Sequence, residues 1–167
     1  MKYLLATVMM FVSLSLSISS CGKDNDPGIT SDNAKNNNEN TNDPAGSKMK
    51  ITIGTAVFTG TLSNNATGSA FKARLPLTLN LTELNSNEKY FDFKTALPSN
   101  AANPGTIQTG DLLLYGSNTL VLFYKTFSTS YRYTSIARID NPSGLAAALG
   151  NENVTVKFEL IETIRSN

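Results

Sequence analysis

Leu77-Thr78-Leu79-Asn80-Leu81-Thr82 places an apolar side chain at every second position and a polar one between. A period of two belongs to a strand with one face in a core and the other in water. The same alternation returns in Val154-Thr155-Val156-Lys157-Phe158-Glu159-Leu160. Working outward, Lys50 to Ile53 and Val57 to Leu62 flank Gly54-Thr55 and read as a hairpin. Leu112-Leu113-Leu114-Tyr115 and Leu120-Val121-Leu122-Phe123-Tyr124 are continuous apolar runs on either side of Gly116-Ser117-Asn118, which predicts two strands in the crowded middle of a sheet. A further strand is predicted from Arg132 to Ile139. Short strands at close spacing with polar turns predict a mainly β domain over residues 48–167, either a sandwich or a barrel.

Two short helices are expected between the strands. Asn141-Pro142 offers an N-cap with Pro at the first helical position, Leu145-Ala146-Ala147-Ala148-Leu149 propagates, and Gly150 stops the helix. The other is expected from about Ala66 to Arg74, with Thr67 or Ser69 as cap, Ala70, Phe71 and Arg74 at helical spacing, and Pro76 ending it. Gly68 in its first turn weakens that helix. Helices at the open ends of a closed sheet would cover a core that so short a barrel leaves exposed.

Several ordered segments resemble the bacterial cyclophilin-like domain family. They are Lys50-Ile51-Thr52-Ile53-Gly54, then Thr61-Leu62-Ser63-Asn64-Asn65-Ala66-Thr67 leading through Ala70-Phe71 to Leu75-Pro76-Leu77-Thr78-Leu79. Gly110-Asp111-Leu112-Leu113-Leu114-Tyr115, Leu122-Phe123-Tyr124 and Ile136-Ala137-Arg138-Ile139-Asp140 extend the likeness, which covers about residues 49 to 161. The resemblance implies a small closed eight-stranded β-barrel with a short helix at each end. It does not bring isomerase activity. Peptidyl-prolyl isomerases of the true cyclophilin family resemble one another in an Arg within a Phe-His-Arg strand segment and in a downstream Trp and His. Here the corresponding strand, Leu77 to Leu84, contains no Arg, and the chain has no His and no Trp.

The N-terminus reads as an address. Lys2, an apolar run from Tyr3 through Ile18 and small residues before the single cysteine have the anatomy of an export signal over residues 1–20. Ile18-Ser19-Ser20-Cys21 resembles the bacterial lipobox, which implies cleavage before Cys21 and a lipid on its thiol. The alternatives are a retained membrane helix or an ordinary signal peptide with a free thiol. Against the helix stand Ser13, Ser15, Ser17, Ser19 and Ser20 and the lack of a Lys/Arg stop-transfer cluster. From Gly22 to Ser47 only Ile29 is a large apolar residue, while seven Asn and five acidic residues accumulate, so the segment reads as a tether. Its flexible reach is roughly 30 Å. Gly22-Lys23-Asp24-Asn25-Asp26 resembles the surface-export tags of Bacteroidota lipoproteins, alongside the plainer reading of a solvated linker. The expected location is therefore the bacterial cell envelope, lipid-anchored at the outer membrane on its periplasmic or surface face.

Composition removes whole mechanisms. Without His, and with Cys21 as the only thiol, imidazole base catalysis, His-ligated metal, thiol nucleophiles in the folded part and disulfides are excluded. A net charge of +1 from 14 basic and 13 acidic residues, with no basic block, gives no footprint for nucleic acid. No phosphate-cradling glycine pattern occurs, and Asp24-Asn25-Asp26 lacks the remaining ligands of a calcium loop, so neither metal nor cofactor is expected. A carboxylate pairing of Asp111 with Arg138 or Asp140 is the best local constellation for chemistry, against the simpler reading that Asp111 caps a turn and Asp140-Asn141 caps the second helix.

The more informative stretch is Tyr124-Lys125-Thr126-Phe127-Ser128-Thr129-Ser130-Tyr131-Arg132-Tyr133, four aromatics and two cations among hydroxyls. Binding surfaces are enriched in such residues, although a long hairpin with its aromatics turned into the barrel has the same composition. Thr95 to Gly110 is a loop of sixteen residues, a length that is functional or disordered in most domains. Together the two segments would wall a groove. The expectation is a membrane-anchored binding module for a peptide, glycan or small molecule held by Phe123, Tyr124, Tyr131, Arg132 and Tyr133, with Arg138 and Arg74 as further candidates and no catalytic residue. The alternative is a degenerate isomerase or other small enzyme using Arg138 or Arg74.

Overall fold

The structure is a computed structural model and describes residues 47–162. The signal segment, Cys21 and the tether up to residue 46 lie outside the described residues. Ser47 is already engaged, its carbonyl accepting from the Leu62 N–H and its hydroxyl from Lys72.

Eight antiparallel strands close on themselves in the order Lys48–Ile53, Val154–Leu160, Leu77–Leu84, Glu88–Asp92, Thr119–Phe123, Asp111–Tyr115, Tyr133–Ile139 and Ala56–Leu62. The first hairpin is β1 (Lys48–Ile53) and β2 (Ala56–Leu62), turning at Gly54 with φ +56°. Then follow α1 (Ala66–Lys72), β3 (Leu77–Leu84), β4 (Glu88–Asp92) and the short β5 (Thr106–Ile107). The chain continues through β6 (Asp111–Tyr115), β7 (Thr119–Phe123), the short β8 (Phe127–Ser128) and β9 (Tyr133–Ile139), and ends with α2 (Leu145–Leu149) and β10 (Val154–Leu160). The mainly β barrel with two short helices is as the sequence predicts.

Alternation decides which side chains fill the barrel. Met49, Ile51 and Ile53 of β1, Leu79 and Leu81 of β3, and Val156 and Phe158 of β10 are buried, and the polar residues between them point outward. Phe158 lies opposite Ile51 on one side and Leu77 on the other. The interior is tight enough that a Cβ on Gly60 would lie 3.1 Å from the Met49 Cε and 3.2 Å from the Arg138 carbonyl oxygen. A side chain there would require its neighbours to give by a few tenths of an ångström.

The helices close opposite ends, α1 beyond the Leu62 end of β2 and α2 beyond the Val154 end of β10. Phe71 of α1 enters the core edge-on to Phe158, with ring centroids 5.8 Å apart. Leu145 and Leu149 of α2 enter from the other end. The first helix starts at Ala66 as the sequence predicts, but the caps of both helices differ from the sequence reading. The α1 cap is Asn65, whose side chain accepts from the Gly68 N–H, rather than Thr67 or Ser69. Gly68, which counted against the helix, is required: a Cβ there would sit 2.1 Å from the Ser63 carbonyl oxygen. At α2, Asn141 caps a turn by accepting from the Ser143 N–H, and the helix begins only after Gly144 at φ +80°. Asp140 likewise caps no helix; it accepts from Thr61 and Lys48, whose contacts outweigh burial and hold its carboxyl below the usual range.

The apolar runs of β6 and β7 have a specific cause. Leu112, Leu114, Leu120 and Leu122 face the barrel interior, and Leu113, Val121 and Phe123 face a second, outer cluster. That outer face is covered by Ile107 and Phe127, which are opposed in the β5-β8 ribbon. The sixteen-residue loop is therefore largely committed. Arg74 donates to the Thr95 and Ala96 carbonyls, Arg132 to the Ala101 carbonyl, and Ala102 exchanges backbone hydrogen bonds with Tyr133. The two predicted groove segments are neighbours, and they pack on each other instead of leaving a groove between them.

Candidate functional site

Where the ribbon ends, the outer face of β4, β7 and β6 stays open as a cleft of about 370 Å³. Its floor is set by register. Asp92 lies opposite Thr119, Thr119 opposite Tyr115, and Tyr115 opposite Tyr133, so one row of outward side chains crosses four strands. The next row brings Tyr90 opposite Val121. Glu88, Tyr90 and Asp92 reach the same face because they alternate with the inward Lys89 and Phe91. Tyr131 comes over from the β8-β9 connection and completes the wall.

The aromatic rings stand at steep angles. Tyr115 meets Tyr131 edge-on at 6.2 Å and 87°, and Tyr133 at 5.6 Å and 52°. Such pairs are favoured by the ring quadrupoles, so the exposed rings brace one another above the outer apolar cluster on which Tyr133 packs. Tyr131 remains 63% exposed and Tyr115 47% exposed. Burial, followed by the nearby Glu88, Tyr115 and Tyr131, pushes the Tyr133 hydroxyl up to about 12, so it stays protonated and able to donate at neutral pH. Burial, with Glu83 close by, also raises the Glu88 carboxyl. Asp92 accepts from the Thr119 hydroxyl at 2.6 Å, which fixes its orientation toward the row.

The seven ligand candidates from the sequence fall into separate places. Tyr131 and Tyr133 line the cleft. Phe123 is fully buried beneath Phe127 and Tyr133, at 5.7 and 5.6 Å between ring centroids, and supports the cleft from below without reaching its surface. Tyr124 faces the barrel interior. Arg132 is spent on the Ala101 carbonyl, and Arg74 lies 4.9 Å over the Phe93 ring while holding the start of the long loop. Arg138 faces Asp111 across the β6-β9 pair at 3.7 Å, and the other Asp111 oxygen accepts from the Gln108 N–H as a turn cap. None of the three arginines lines the cleft.

Sequence reasoning missed Tyr90, Tyr115, Glu88, Asp92 and Thr119. The signal was present in Glu88-Lys89-Tyr90-Phe91-Asp92, where polar or aromatic residues alternate, but a charged residue on the inward side disguised the strand. Lys89 is fully buried. Its ammonium donates to the Glu83 carboxylate and to the Gly150 and Glu152 carbonyls, each carbonyl at 2.8 Å. The Tyr124 hydroxyl, 2.9 Å from both Glu83 oxygens, donates to the same carboxylate. Burial alone would raise Glu83; Lys89 and Tyr124 outweigh it and hold the carboxyl low, while burial and Glu83 lift Tyr124 to about 12. This cluster is saturated by its own members and closes the α2 end of the barrel.

Comparison with known proteins settles the family. The model of the cyclophilin-like family matches residues 51–159. The chain belongs to the cyclophilin-like family. In structure it is similar to a hypothetical protein from Archaeoglobus fulgidus solved in solution, at 20% identity and a TM-score of 0.52, over 70% of this chain and 96% of that one. That likeness carries the fold alone. No curated protein matches. Within the cyclophilin-like barrel described here, an open tyrosine-lined face on β4, β7 and β6 is what distinguishes one side from the rest.

Proposed function

We propose that this cyclophilin-like protein is an extracytoplasmic binding module, anchored to the bacterial envelope by a lipid on Cys21, that holds a peptide, glycan or small molecule in the tyrosine cleft. The observation that carries the reading is the contrast along the outer face of β6 and β7. Most of that face is sealed by the β5-β8 ribbon, whereas the stretch around Tyr115, Tyr131 and Tyr133 is left open with large aromatic surface beside hydrogen-bonding groups. Concave sites with aromatic walls and a few convergent polar groups are the usual form of a ligand pocket. The isomerase alternative gains no support, since Arg74 and Arg138 are engaged outside the cleft. The lipobox resemblance around Cys21 supports anchoring, and two or more acyl chains suffice for stable attachment.

The test is a screen of the full chain, wild type and Tyr131→Ala, against short peptides, oligosaccharides and small amphiphiles. Ligands that bind the wild type and lose affinity in the variant support the reading. A screen in which every ligand binds both proteins equally refutes it.

A further inference from the structure

We propose that the cleft is selective for an organic cation, an ammonium or guanidinium group boxed by Tyr90, Tyr115, Tyr131 and Tyr133 and countered by Glu88 and Asp92. The inference rests on the reading of the cleft as a ligand site and adds the charge of what enters it. The lining holds four tyrosines and two carboxylates and neither Lys nor Arg. Among the described residues, neither carboxylate has an ion-pair partner: the ion pairs use Asp140, Glu159, Glu83 and Asp111 instead. The one cation adjacent in sequence on β4, Lys89, points to the opposite side of the sheet and is consumed there by Glu83 and two carbonyls.

Three physical effects then favour the same guest. A tyrosine face is negative at its centre and attracts a cation within about 6 Å of the ring. The steep angles between Tyr115, Tyr131 and Tyr133 make walls facing a common space, where parallel rings would have offered a flat stacking surface. A half-buried carboxylate with no partner is costly, and burial has raised the Glu88 carboxyl accordingly, so a cation beside it recovers part of that cost. A neutral sugar or an apolar side chain would gain the aromatic contact and leave the two carboxylates without a counter-charge.

The experiment pairs probes that differ in charge and hardly in shape. Choline is set against its carbon isostere 3,3-dimethylbutan-1-ol, and Nα-acetyl-argininamide against Nα-acetyl-citrullinamide, each titrated into the full chain and followed by probe proton NMR. Methyl groups held over ring faces move upfield. We expect the cation of each pair to bind at least about tenfold more tightly than its isostere, with the preference reduced in Glu88→Gln and Asp92→Asn and binding abolished in Tyr131→Ala. The Asp92→Asn variant changes an exposed strand residue by one atom, so it stays folded where other changes fail. Nα-acetyl-argininamide compared with a blocked Gly-Gly-Arg-Gly-Gly peptide identifies the source of the cation: tighter peptide binding means a basic side chain in a chain, equal binding a free molecule. Equal affinity within both isostere pairs, still dependent on Tyr131, overturns the cation preference and leaves the binding module standing. Binding of no probe or screened ligand that depends on Tyr131 overturns both.

Discussion

Replacing Lys89 by Met keeps most of the stem and removes the ammonium, and the structure fixes what is left behind. The Gly150 and Glu152 carbonyls lose their donor at the barrel end, and Glu83 loses its counter-charge but keeps the Tyr124 hydroxyl and the Ser86 N–H. Breaking a buried pair by deleting one partner costs about 3–5 kcal/mol. The Glu83 side chain is 19% exposed and retains two donors, so the lower end, about 3 kcal/mol, is expected at neutral pH. For a folded part of this size that is a fall in Tm of roughly 10–20 °C. The loss should also depend on pH. In the wild type, Lys89 and Tyr124 hold the Glu83 carboxyl below its unfolded value, so its stabilisation is present above that value and fades as pH falls through the folded one. In the variant, burial is opposed only by Tyr124 and Ser86, so the Glu83 carboxyl lies higher than in the wild type. The folded variant then binds a proton more readily than the folded wild type, and acidification narrows the gap between the two proteins. Adding Glu83→Gln to Lys89→Met should recover stability at neutral pH, because no uncompensated charge remains. Chemical denaturation at several pH values, with the double-mutant cycle, measures all of this. A single-variant loss below about 1 kcal/mol, or a gap that does not change with pH, would show that Lys89 is not the closure described here.

The remaining expectations are narrower. Gly68→Ala should cost about 1–3 kcal/mol, because its Cβ would meet the Ser63 carbonyl oxygen, a backbone atom that cannot yield without shifting α1; an unchanged melting curve would contradict that contact. Tyr131→Ala should melt within about 0.5 kcal/mol of the wild type, whereas Phe123→Ala should lose about 3–5 kcal/mol, and similar values for the two would erase the distinction between the cleft wall and its support. Affinity for a cationic probe should drop as pH falls, starting above the ordinary glutamate range because burial raises Glu88, in a cleft that also presents Asp92, Tyr90, Tyr115, Tyr131 and Tyr133; a profile following an unperturbed carboxylate would count against Glu88. Wild-type protein should partition with membranes and Cys21→Ser should not, and equal solubility of the two would remove the lipid anchor.

How far the chain could be read follows from which forces act locally. Leu77 to Leu84 was legible to its ends because a period of two with uniform chemistry needs no partner to interpret. Glu88 to Asp92 was not, because Lys89 occupies an inward position where only Glu83 and carbonyls from the connection between α2 and β10, some sixty residues away in sequence, make a charge tolerable. The start of α2 was misplaced for a related reason: Asn141-Pro142 has the chemistry of a cap, and the choice between a helix and a turn was made by Gly144 two residues later. In the cleft, Tyr131 and Tyr133 stood out by composition alone. Tyr90, Tyr115 and Asp92 did not, since they become neighbours only through pairings between strands distant in sequence. Composition also drew Phe123 and Tyr124 together as adjacent candidates, although adjacent strand residues face opposite sides, one into the outer cluster and one into the barrel.

The β5-β8 ribbon gives the molecule a property that matters to an engineer. The eight-stranded ring has no free edge and takes none of its hydrogen bonds from the ribbon. The outer residues of the ribbon, 103–106 and 128–130, are therefore an attachment beside the cleft that does not hold the scaffold closed, whereas Leu97, Ala102, Gly110 and Tyr124 tie the same connections into the barrel. Lengthening such a surface connection costs only about 0.6 kcal/mol per doubling of its length. Variation can accumulate there, in a library or over generations, while the barrel that displays it keeps its sequence and its shape.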